Sequence, residues 1–342
     1  MVASYSPFLS QKGGADERAL ALKVFSGELS AAFERKSVVK DLLMSKTISH
    51  GKSAQFPAFG RAAAEYHTKG SNLLTEGTPA LNNIKTAERI IYLDDVLIST
   101  VLVTELDEML AHFDERAIYA DQLAESIARH YDELAIRQII RAARTDSSDA
   151  IVPDASAENG GAYIPLATAV SGVSTAIGDE YIGHFHDAAA ELDNRHVPAS
   201  DRFALVTPDL YWSIVQSGAA VHRDYGNEGA GTQYNGKVTM AAGFNLVMTT
   251  NMPTVTDTTS FDGTGGFYND YRGNFSGTQA VCFHRQAAAT VKRMDITLET
   301  ERLIEYQGTL MLGKVLCGTG RLRPECAVEI GTAAAAPSLT GA

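Results

Sequence analysis

Three short stretches carry residue types that could do chemistry. The first is Gly51-Lys52-Ser53, inside ISHGKSAQFPAFGR (48–61). Glycine, lysine and a hydroxyl in this order end the loop GxxxxGK[ST], where backbone N–H groups cradle phosphates and the lysine neutralises them. That loop needs an upstream glycine, a strand before it and a helix after it. Lys46 occupies the glycine position, and AQFPAFG follows Ser53, where Pro57 and Gly60 oppose a helix. The nucleotide reading fails on both counts. The second stretch is HFHD, His184 to Asp187. Residues two apart on a helix point to nearly opposite sides, so His184 and His186 do not easily share a metal. His184 and Asp187 could, but a third ligand is not evident, and surface or capping roles are the better reading. The third group is Cys282, Cys317 and Cys326, an odd number without CxxC spacing. This pattern reads as reduced, buried thiols of a cytoplasmic protein rather than a disulfide framework. There is no GxSxG, and GTGGF (263–267) does not complete GxGxxG. No catalytic residue, cofactor site or metal site is expected, and the chain does not read as an enzyme.

The whole chain supplies the frame for these stretches. Its 342 residues suffice for two or three cooperating domains with a sizeable core. A formal charge of −12 excludes a nucleic-acid clamp, which needs clustered Lys and Arg. The charge is uneven: residues 1–61 hold nine Lys/Arg against five Asp/Glu, and residues 105–135 hold nine Asp/Glu against two Arg. The two regions could attract each other, within or between chains, or be ordinary solvated surfaces. No run of about 18 apolar residues is present, so no membrane span is expected. The opening residues lack a charged start followed by an apolar stretch, so a secretory signal is not expected either.

The elements follow from local pattern. Residues 1–20 lack a sustained period, and RALALKVFSGELSAAFERKS is a helical pattern broken at Ser26-Gly27. From 47 to 104 the chain reads as a two-stranded excursion, too weak to be stable alone and in need of another surface. Ala120, Leu123, Ala124, Ile127, Tyr131, Leu134 and Gln138 keep a 3.6 period and predict a spine helix from Glu115 to Arg144. Its carboxylates read as a solvated face, and Arg137, Arg141 and Arg144 suit the negative end of the helix dipole. Beyond it, IGHFHDAAAELDNRHV and PDLYWSIVQSG read as helices. RFALVT, TMAAGFNLVMTTNMP, AVCFHRQAAATVK, DITLETERLI and CAVEI read as strands. YQGTLMLGKVL is compatible with a helix, and the tail after Gly331 is expected to be disordered.

Four blocks together resemble one family: LKVFSGELSAAFERKSV (22–38), ISHGKSAQFPAFGR (48–61), HVPASDR (196–202) and GRLRPECA (320–327). In type and order they are similar to the major capsid proteins of short-tailed bacteriophages of the T-seven group, and the resemblance spans about residues 20–330. The first nineteen residues fall outside it. Arg321 stands where glycine is expected, so the turn there differs or gains a charged contact.

The resemblance implies an α+β protein of the HK-97-type capsid fold. The chain would divide into an N-terminal arm (1–48), an E-loop with its stem (49–104), a P-domain spine helix with the following loop (105–161), and an A-domain (162–279). P-domain return strands with some A-domain would take 280–331, and 332–342 would be the tail. It implies self-assembly as hexamers and pentamers into an icosahedral head around double-stranded DNA. The E-loop would lie over a neighbour's P-domain. The implied partners are other copies, a scaffolding protein during assembly, a portal protein, and packaged DNA by weak nonspecific contact. The implied location is the virion capsid, assembled in the host cytoplasm. Inter-subunit contacts are expected at Lys52, Arg61, Lys69, Glu76, Arg321, Arg323 and Glu325. Lys69 is also where a Lys–Asn crosslink would fall, although a solvated or salt-bridged lysine is the better reading. The competing readings are a nucleotide-binding α/β enzyme, and a non-viral compartment shell of the same fold.

Overall fold

The structure is a computed structural model that describes residues 37–59, 66, 69–70, 86–110, 115–146, 160–166, 172–217, 240–257, 268–333 and 336–337. The chain begins with β1 (Met44–Thr47), β2 (Ser53–Phe59), β3 (Thr86–Tyr92) and β4 (Leu97–Thr104), then α1 (Glu105–Leu110) and α2 (Glu115–Ala143). Next come β5 (Ala162–Pro165), α3 (Thr175–Asn194), β6 (Arg202–Val206) and α4 (Pro208–Ser217). Short strands follow: β7 (Met240–Ala241), β8 (Phe244–Met248), β9 (Thr256–Asp257) and β10 (Gly273–Asn274). The chain closes with β11 (Thr278–His284), β12 (Ala288–Leu303), β13 (Gly308–Arg321) and β14 (Ala327–Gly331). No described helix is long and apolar enough to cross a membrane. Two compact units result. The described parts of the first are Ser37, Val96–Tyr131 and Met294–Cys317; the second holds Val38–Asp95, Asp132–Arg293 and the chain from Gly318 on.

In the first unit β4 pairs antiparallel with β13, from Leu97 opposite Val315 to Thr104 opposite Gly308. YQGTLMLGKVL is therefore a strand, not a helix. The local apolar pattern fits either, but Gly308 and Gly313 weaken a helix, and Met311, Gly313 and Val315 are buried at every second position. Val103, Met311 and Leu123 form a small core with Val101, Tyr119 and Ala120 against it. A side chain on Gly313 would lie 3.1 Å from Ile127, so the glycine lets α2 approach the strand. The opposite face of β4 carries Ile98 and Leu102, both exposed.

The second unit centres on a six-stranded sheet in the order β5-β14-β11-β6-β8-β7. The boundary drawn at 279/280 lies inside β11, whose partners are β6 on one side and β14 on the other. Helices α3 and α4 supply Tyr181, Phe185, Leu192, Leu210 and Ile214 to the same core as Val206, Phe283, Val328 and the end of α2. HVPASDR closes α3: the His196 and Val197 N–H groups donate to the Asp193 and Leu192 carbonyls, with His196 left-handed at φ 57°. Arg202 clamps that turn by donating to the Val197 and Pro198 carbonyls and to Asp193. Past Gly331, Thr332 N donates to Gly277 O and Tyr163 to Ala333 O, so the first two tail residues are held.

Within the stretch 47–104 the described residues form one antiparallel pair and one strand that joins elsewhere. β2 and β3 pair antiparallel from Ser53 opposite Tyr92 to Phe59 opposite Thr86, whereas β4 joins β13. The lower end of the β2/β3 pair is seated in the second unit, where Ala54, Ile91 and Leu93 pack with Ala289, Val291 and Leu322.

Candidate functional site

The relevant chemistry of this molecule lies in two places: the groups that hold its elements at fixed angles, and the faces those elements leave uncovered. The end of α2 belongs to the first. Arg144 is buried and forms a bidentate pair with Glu329 on β14, both N–O distances 2.6 Å, while Thr278 donates to the same carboxylate at 2.6 Å. Arg141 pairs with Asp270 at 2.8 Å and donates to the Arg272 carbonyl. Burial lowers its pKa to about 10, against the opposing pull of Asp270. Arg137 bridges Glu133 and Asp257. The three arginines thus pin the helix to Asp257, to residues 270–274 and to β14, a role beyond complementing the dipole. Asp132 departs from the expected solvated face: it is fully buried and accepts from the N–H groups of Val38 and Val39 and from Asn251 Nδ2. Its place on the helix one turn from Ala128, Ala135 and Ile136 was the signal available in sequence.

A second polar cluster meets the base of the hairpin. Asn269 both accepts from Tyr92 N and donates to Tyr92 O, at 3.1 and 2.8 Å. Asp94 accepts from Tyr268 N, Asn269 N and Asn269 Nδ2 through one oxygen and from the Tyr271 hydroxyl, at 2.6 Å, through the other. Burial raises the Asp94 pKa, opposed by these hydrogen bonds, and raises the fully buried Tyr271 well above the usual phenol value.

The hairpin turns alternate residues to two faces. Ala54, Phe56 and Ala58, opposite Ile91, Arg89 and Ala87, form the inner face. The outer face exposes Phe59 at 62%, Ile90 at 39% and Tyr92 at 45%. Large apolar groups gathered on one side of a thin ribbon mark a contact surface.

The predicted contact residues separate into groups. Gly51, at φ 90°, makes the turn into β2, and Lys52 is exposed while its carbonyl accepts from Leu93 N. Ser53 opens a strand, so Gly51-Lys52-Ser53 leads into no helix. Lys46, not singled out from sequence, supports this turn: its Nζ donates to Gln55 O and lies 5.3 Å from the Phe56 ring centre. Lys69 is exposed beside Gly70, and Arg61 and Glu76 lie outside the described residues. Arg321 gains a contact, donating to Thr145 Oγ1 at 2.6 Å. Arg323 and Glu325 face each other at 3.7 Å and stay partly exposed. His184 lies 3.5 Å from Asp187 and 3.9 Å from Glu180, and no group of three or more metal-ligating residues forms among the described residues.

An unpartnered ribbon, a long helix and a mixed sheet held by buried ion pairs define a building block rather than a reaction centre. Comparisons with known proteins identify which one. A family model described as Gp10A-like, major capsid protein, matches residues 55–331. The chain is 32% identical over 326 residues to the major capsid protein of Escherichia phage T7, covering 91% of each. Among solved structures, the capsid of cyanophage P-SCSP1u superposes with a TM-score of 0.74 at 32% identity, over 97% of this chain and 100% of that one. The mature capsid of bacteriophage PhiM1 shares the fold, with a TM-score of 0.68 at 18% identity over 91% of each chain. The fold is the HK-97-type capsid fold. The chain belongs to the Gp10A-like family of phage major capsid proteins, and its role is structural, as a shell protein of the virion.

Proposed function

We propose that copies of this chain form hexamers and pentamers that close an icosahedral head around packaged double-stranded DNA. In this reading the outer face of the β2/β3 stem of one copy covers the outer face of β4 and β13 of its neighbour. The observation that carries it is a pair of uncovered apolar faces on one chain: Phe59, Ile90 and Tyr92 on the hairpin, Ile98 and Leu102 on β4. Two different patches that meet head to tail generate rings, and repetition around a closed shell makes modest contacts sufficient. The hairpin then corresponds to the E-loop, α2 to the spine of the P-domain, and the β6–β8 region to the A-domain. Lys52 and Lys69 are exposed and would offer polar groups to such a contact; Arg61 and Glu76, outside the described residues, are proposed as further contacts from the sequence alone. Arg321, Arg323 and Glu325 have partners within the chain and contribute less. Lys69 acts as a solvated or salt-bridged lysine; a single monomer band from denatured virions would support this, and a ladder would show crosslinking.

A scaffolding protein and a portal protein complete the assembly, which takes place in the host cytoplasm. Contact with DNA is weak and nonspecific, as the net charge of −12 favours. Negative-stain microscopy after co-expression with scaffold tests the reading. Leu102→Asp and Phe59→Asp should each abolish particles while leaving a folded chain, and charge reversal at Arg61 should impair them. Normal particles from both Asp variants would overturn the proposed contact.

A further inference from the structure

The hairpin stem is held at its base by groups that its own ladder does not use. Ile91 and Tyr92 cross β13 where that strand reads Gly318-Thr319-Gly320. A Cβ at position 318 would lie 2.1 Å from Tyr92 O, and one at 320 would lie 2.8 Å from the Ile91 side chain. On this glycine seat the side-chain amide of Asn269 satisfies both backbone groups of Tyr92, as a neighbouring strand would. Asn269 is itself fixed. Its second amide hydrogen and its own N–H go to Asp94 Oδ1, Asp94 Oδ2 accepts from Tyr271, and the Tyr271 oxygen accepts from Thr319 N at 3.1 Å.

We infer that Asn269 is a positioning residue for shell assembly: a side-chain amide that substitutes for a strand at Tyr92 and so fixes the direction in which the hairpin leaves the second unit. Asp94 and Tyr271 hold the amide in place. This rests on the reading that the hairpin reaches a neighbouring copy. Seven residues of stem extend about 23 Å, so a turn of about 10° at the base moves its far end by about 4 Å, enough to lose a packed contact. Without the amide the ribbon still forms, because the β2/β3 ladder and the apolar seat remain, but its direction is no longer single.

The test uses the full chain before assembly, with spin labels at Thr86→Cys, at the far end of the stem, and Ser200→Cys in a Cys317→Ser background. The chain with Asn269 intact should give one narrow distance distribution. Asn269→Leu should broaden it, speed amide exchange at Tyr92 at least tenfold, and leave exchange at Leu205, Val281 and Val328 unchanged. Particle yield should fall at least tenfold. An unchanged narrow distribution, or an unchanged Tyr92 amide, would overturn the inference. If Asn269→Leu instead loses protection throughout the sheet, Tyr271→Phe decides: it removes only the hydroxyl that braces Asp94. A smaller broadening supports the assignment, and a narrow distribution overturns it. Broadened distances with normal particle yield would leave the positioning role standing and refute the hairpin contact between copies.

Discussion

The six-stranded sheet and the hairpin stem are built from similar residues and covered in opposite ways. In β11 the residues from Ala280 to Phe283 are wholly buried, and Glu329 on the neighbouring strand β14 is buried in a pair with Arg144. In the stem, Phe59, Ile90 and Tyr92 lie on the outer face and keep 62%, 39% and 45% of their surface exposed. The first region meets its own requirements. The second leaves large apolar groups exposed on its outer side, as does the side of β4 that carries Ile98 and Leu102, and these are the faces proposed to meet between copies. Apolar content alone therefore says little about what a segment is for; whether the chain itself supplies the cover says much more.

The sharpest way to break this contrast is inside the sheet. Glu329→Ala strands a buried guanidinium and should cost about 3–5 kcal/mol, read as a shift in the denaturation midpoint of the unassembled chain. Particles would then fail because the subunit fails. Met311→Ala, in the small core under β4, should cost about 2 kcal/mol, near the low end for buried methionine since few residues surround it. Leu102→Asp on the other face of β4 should cost the subunit only about 1 kcal/mol yet eliminate particles, measured by denaturation and sedimentation on the same sample.

A subtler effect is expected with pH. Burial lowers the pKa of His284 below 6.5, with Asp201 pulling up and Arg202 and Arg323 pushing down. A depressed histidine favours the folded state while neutral. Its contribution is present above pH 6.5 and is lost as pH falls through its folded value. His284 Nδ1 accepts from Gln286 N, which an asparagine oxygen can imitate. His284→Asn should therefore flatten the stability profile below pH 6.5 in acid titration of the unassembled chain. The smallest change is at Lys314, ion-paired with Glu299 on the protein's surface. Lys314→Ala should alter stability by under about 1 kcal/mol.

Much of the fold was legible in local pattern, and the reasons are particular. The 3.6 period from Ala120 to Gln138 marked α2, and alternation with β-branched residues marked β3, β4, β6 and β14. The stretch 306–316 was misread because its apolar spacing fits both periods; pairing with β4, over 200 residues away, decided it. The polar groups were less legible. Arg137, Arg141 and Arg144 were visible as a basic helix end, but their partners Asp257, Asp270 and Glu329 lie over 100 residues further on. Asn269 and Asp94 carried no sequence signal at all.

By itself the sequence determined most of the helices, strands and turns, 306–316 apart, because those follow from spacing a few residues long. Four short blocks in a fixed order also carried the family. Only the tertiary structure decided which charges are buried and paired, which glycines admit a crossing strand, and which apolar faces remain open. Those depend on contacts between residues far apart in the chain, and the energy of a polar or apolar group is set by what finally surrounds it.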